Sequence, residues 1–130
     1  MDEKDFIKCK EHAKKYLPLL EKIEKNPELK KWCEEYSPYK RVEDTYNLDE
    51  EIGEMMHDAY DSGVVICNYC EILDKNRDAQ TVDIKDYSDD LLLAKIAYLY
   101  RKDHMSEGSL TNRAIAEGHL YRLYEELAKR

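Results

Sequence analysis

The stretch "SDDLLLAKIAYLYR", residues 88–101, decides the fold class. Ser88 is a helix-capping residue, and Asp89 and Asp90 place acids where a helix dipole is positive. Behind them Leu91, Leu92, Leu93, Ile96, Ala97, Leu99 and Tyr100 cover most of a helix circumference, not one stripe. A helix apolar on most sides has to be wrapped by other elements. The spacing therefore predicts a central, buried helix here, and the rest of the chain has to supply its wrapping.

The flanking sequence carries the matching helical periods. Downstream, Ser109 is set to cap a short helix to about residue 117, with Gly118 as its stop. A last helix then aligns Leu120, Leu123, Tyr124 and Leu127 and ends in Lys129 and Arg130, which suit the negative end of the dipole. Upstream, Phe6, Cys9, Ala13, Tyr16, Leu17, Leu20 and Ile23 form one stripe over residues 3–25, with Pro18 expected to kink or split that helix. Asn26, Pro27 and Glu28 form a start signal for a second helix carrying Leu29, Trp32, Cys33 and Tyr36, ended by Pro38. "NLDE", residues 47–50, fits a capping box with Asn47 as the cap. It opens a helix with Leu48, Ile52, Met55, Met56, Ala59 and Tyr60, and Gly63 is suited to close it. Residues 39–46 and 63–68 lack a clear helical period, and each could hold one short extended segment.

Composition agrees with this pattern. The 130 residues are 42% hydrophobic and 38% charged, with only 4 Gly and 3 Pro, which favours a compact helical domain over disorder or a turn-rich β fold. The expected fold is all-α, a single domain over residues 1–130 with about five to seven helices. No apolar run approaches the ~20 residues that cross a bilayer, so no membrane association is expected. The opening "MDEKDFIKCK" has no apolar core of a signal peptide, so the expected location is cytoplasmic, where the 4 cysteines stay reduced.

The segment "DLLLAKIAYLYRKDHMSEGSLTNRAIAEGHLYRLYEEL" resembles a family of small bacterial and phage proteins known as a domain of unknown function. The elements that carry the likeness are Arg101, Met105, Glu107, Gly108, Gly118, Leu120, Leu123 and Leu127. The upstream "DEEIGEMMHDAYDSGVVICNY" is similar to that family's amphipathic helix ending in Gly. Two features depart from the pattern: a longer Gly108-to-Gly118 spacing, and Ser109–Leu110 in place of a His or bulky residue. The resemblance implies the helical fold and no particular activity.

Charge is distributed unevenly. The net charge is −8, and residues 42–74 contain no Lys or Arg. Such a span repels phosphate backbones, so direct nucleic-acid binding is not expected, whereas a basic protein partner would be attracted. Tyrosine is the preferred aromatic, with 11 against one Phe and one Trp, and tyrosine suits interfaces. The candidate partner-binding residues are Glu43, Asp44, Tyr46, Asp49, Glu50, Glu51, Glu54, Asp58 and Tyr60, with Tyr36 and Tyr39 beside them. The corresponding function is a non-enzymatic interaction module, for instance a phage or mobile-element inhibitor occupying the basic surface of a host defence protein. An acidic surface can equally do no more than keep a chain in solution.

Motifs for chemistry are sparse. No phosphate-binding Gly loop, G-x-S-x-G elbow or H-E-x-x-H pattern occurs, and no cofactor, metal or catalytic residue is assigned. Cys67 and Cys70 form a single C-x-x-C inside "GVVICNYC", residues 63–70. A structural zinc site needs a second ligand pair, and a redox dithiol normally opens a helix after a strand. Both contexts are missing, so Cys67 and Cys70 are expected to fill core. The alternative ligand site is the turn after the central helix, where Arg101, His104, Glu107 and Gly108 could bind an anion or a small molecule, or move a proton.

Overall fold

The computed structural model describes residues 2–34, 46–102 and 109–130. These form seven α-helices and no strand: α1 (Glu3–Glu24), α2 (Pro27–Glu34), α3 (Tyr46–Asp61), α4 (Tyr69–Lys75), α5 (Asp89–Arg101), α6 (Ser109–Ala116) and α7 (His119–Lys129). Two 3₁₀ turns, Ala79–Thr81 and Ile84–Asp86, lead from α4 into α5. The fold is all-α, as the sequence periods indicate.

α5 is the buried centre. Ser88 Oγ accepts the Leu91 N–H at 3.2 Å, and the seven apolar residues behind it, together with Ala94, are buried. Beyond the exposed Asp89 and Asp90 of its first turn, only Lys95, Tyr98 and Arg101, three residues apart along one edge, keep α5 in touch with water. Ala94 and Ala97 give Tyr69 of α4 room to lie against α5. α6 and α7 cover other sides.

The longest helix contact joins α1 to α7. The two run antiparallel: His12 meets Tyr124, whereas Glu24 meets Gly118. Cys9, Ala13, Tyr16, Leu20 and Ile23, alternating four and three residues apart, pack into one core with Leu120, Leu123, Tyr124 and Leu127. α1 is not split at Pro18. The proline lies on the exposed side, where the carbonyl of Lys14, left without its helical N–H, can be hydrated.

Local signals set most of the helix ends. Asn26 Oδ1 accepts the backbone N–H groups of Glu28 at 3.0 Å and Leu29 at 3.3 Å, starting α2, which packs on α6. Gly63 at φ 83° and Gly118 at φ 74° adopt the left-handed conformation that ends α3 and separates α6 from α7. Three expectations need correction. Asn47 lies in the first turn of α3 instead of in front of it, because the helix already begins at Tyr46. Ser109 is likewise the first residue of α6. Residues 64–68 make bends and a turn, with the Ile66 N–H bonded to Val64 O at 3.1 Å, and so are not an extended segment. Of 39–46, only Tyr46 lies within the described residues.

Candidate functional site

α3 presents two different surfaces. Its apolar positions, Leu48, Ile52, Met55 and Ala59, enter the core. Asp49, Glu50 and Glu54 project outward among exposed residues, and Tyr60 is 47% exposed at the far end. In their midst sits Gly53, where a Cβ would meet nothing within 4 Å. The packing gives no reason for that glycine, which weakens a helix by about 1 kcal/mol relative to alanine.

The inner edge of α3 is occupied by α1. Lys22 Nζ lies 3.9 Å from Glu51 Oε2, and Lys8 and Lys15 flank Asp58 and Asp61 across a shallow groove. Folding therefore brings α1 lysines against a span that contains none of its own. Glu51 becomes the outer member of a weak intramolecular pair. Asp58, expected to face a partner, instead bonds inward to His12. Glu43 and Asp44 lie outside the described residues, as do Tyr36 and Tyr39.

Beneath Asp58 runs a chain of side-chain hydrogen bonds that joins four helices. Asp58 Oδ2 is 2.8 Å from His12 Nδ1, His12 Nε2 is 2.6 Å from Tyr124 Oη, and Tyr124 Oη is 2.5 Å from Tyr100 Oη. Their chemistry fixes the direction of the protons. A carboxylate only accepts, so His12 donates through Nδ1–H. Neutral His12 then accepts at Nε2 from the Tyr124 O–H, and Tyr124 oxygen accepts from the Tyr100 O–H. Burial holds His12 below its ordinary value of 6.5, against the opposing pull of Asp58. Burial, together with the neighbouring Tyr100, pushes Tyr124 well above 10. The chain thus stays neutral apart from its half-exposed Asp58 end, and its role is to fix α1, α3, α5 and α7 relative to one another. His12 stands three residues after Cys9 and four before Tyr16, on the apolar stripe itself. A polar residue on that stripe is the sequence signal for this network.

One cysteine pair departs from expectation: Cys67 and Cys70 are exposed and do not fill core, while Cys9 and Cys33 lie buried as their apolar stripes imply. The bend at 64–68 turns only Val64 fully inward, so the apolar run does not continue as core. Burial pushes the Cys9 thiol up to about 11 and that of Cys33 up to about 12, which removes them from thiolate chemistry near neutral pH. Among the described residues no group of His, Cys, Asp and Glu has the arrangement of a metal site. Arg101 ends α5 with its side chain exposed, while His104, Glu107 and Gly108 lie outside the described residues. No described helix is long and apolar enough to cross a membrane. The chain matches no family model, and no curated protein or solved structure was found to be similar to it.

Proposed function

We propose that this protein is a non-enzymatic helical interaction module that receives a basic protein partner on the outer face of α3. The observation that carries this reading is the combination of exposed Asp49, Glu50 and Glu54 with Gly53 among them. The three acids form no ion pair among the described residues, and the glycine leaves a flat patch where a partner backbone can approach. The relay under Asp58 gives that face a rigid backing. A compact acidic module of this kind suits an inhibitor that covers the basic surface of another protein, including one of phage or mobile-element origin.

The test uses partners captured from the native host with the whole chain. Asp49→Lys, Glu50→Lys and Glu54→Lys together are expected to slow association and flatten its salt dependence, because exposed charges act mainly on the encounter rate. Gly53→Arg is expected to block the same partner while leaving the fold intact. A partner that binds all of these variants as tightly as the parent chain rules out this face.

A further inference from the structure

An open groove of about 620 Å³ lies beside the C-terminal end of α3, and nothing in the reading above uses it. Its floor is apolar: Val65 and Ile66 from the bend after α3, Ile72 from α4 and Leu93 from α5. Leu93 is fully buried, while the other three are only partly covered. Three carboxylates stand on its walls, and they come from three different helices: Asp5 of α1, Asp61 of α3 and Asp90 of α5. Among the described residues, Lys8 is the only cation on those walls. Neither Asp5 nor Asp90 forms an ion pair among the described residues, and Asp61 has only the exposed His57, at 3.4 Å. Tyr60 and Asp61 make the groove continuous with the outer face of α3.

We infer that this groove docks a short peptide segment of the partner that carries apolar side chains together with lysine or arginine. The inference rests on the proposed interaction role and specifies the partner's chemistry at a second place. Apolar side chains would cover Val65, Ile66 and Ile72, which are left half-wet. A cationic head would lie between Asp5 and Asp90, where an ammonium or guanidinium gains from two carboxylates, and where Lys8 is the opposing charge. A purely basic segment would leave the floor wet, and a purely apolar one would leave the walls uncompensated.

Cys67 lies in the groove wall and is exposed, so it can report occupancy directly. With Cys70→Ser as the background and an environment-sensitive fluorophore on Cys67, the probe is a synthetic peptide alternating Leu with Lys in amphipathic register. Saturable binding with a blue shift of the fluorophore is expected. Asp5→Asn with Asp90→Asn should weaken that binding about fivefold, as two exposed charge pairs are lost. Lys8→Glu should strengthen it, an outcome that loss of folding cannot imitate. Oligolysine binding as tightly as the mixed peptide, or indifference to all three substitutions, would overturn the inference in favour of unspecific attraction to an acidic chain. Self-association reported by the label would overturn it in favour of a second copy of this chain. None of these substitutions lies on the outer face of α3, so reversal of Asp49, Glu50 and Glu54 can fail while the groove binds, and the reverse.

Discussion

Replacing Tyr124 by phenylalanine removes one oxygen from the centre of the buried relay, and its effect can be worked out from the neighbours. Tyr124 is fully buried, and its hydroxyl donates to His12 Nε2 at 2.6 Å while accepting from Tyr100. A hydrogen bond is worth about 0.5–1.5 kcal/mol net, and a buried acceptor left unsatisfied costs about 1–3 kcal/mol. Neutral His12 would be left with an orphaned Nε2 in a site with no exposed side-chain surface. The sum is a loss of about 2–4 kcal/mol, large against the 5–15 kcal/mol typical of a domain. Tyr16→Phe is the internal control, since it deletes the same atom from the same core. The Tyr16 hydroxyl reaches only Glu54 O at 3.5 Å, a long and partly buried bond, so its removal should cost about 0.5 kcal/mol or less. Urea unfolding followed by circular dichroism measures both, and an unchanged m-value shows that the same surface unfolds. Equal costs for the two variants, or a Tyr124→Phe effect below about 0.5 kcal/mol, would refute the assignment of the relay as a coupled network.

Three other outcomes are expected. Gly118→Ala forces an alanine to φ 74° and puts its Cβ 2.9 Å from Glu24 Oε2, so unfolding should show a loss of about 1–2 kcal/mol, partly restored by Glu24→Ala. Cys67→Ala with Cys70→Ala should change stability by less than about 0.5 kcal/mol, and both thiols should react with a maleimide in the native state while Cys9 and Cys33 do not. Burial lowers His12 and, helped by Lys95 and Arg122, also lowers His119 below 6.5, so the unfolded chain takes up protons that the folded one refuses as pH falls below that value. Melting temperature should therefore drop as pH falls through the window under 6.5, and His119→Gln should make the drop shallower.

The features fixed by residues within one or two turns of each other were legible in the sequence. Ser88 and Asn26 cap their helices through side-chain bonds to N–H groups two or three residues away, and Gly63 and Gly118 need only their own freedom to reach positive φ. The density of apolar residues in α5 likewise placed it at the centre, because burial on all sides leaves no other use for that composition. Periodicity tells which face of a helix is apolar; it does not tell which helix that face will meet. The pairing of α1 with α3 and α7 was therefore decided by the tertiary structure, and the inward turn of Asp58 and the placing of the α1 lysines depend on it. Asp58 turned inward because His12, 46 residues away, lies beneath it, and that histidine in turn meets Tyr124 across 112 residues. The lysines of α1 came to rest beside an acidic span that reads as unrelieved in one dimension. The bend after Gly63 took Cys67 and Cys70 out of an apolar run and into solvent, since a change of chain direction alters which side chains point inward without altering a single residue.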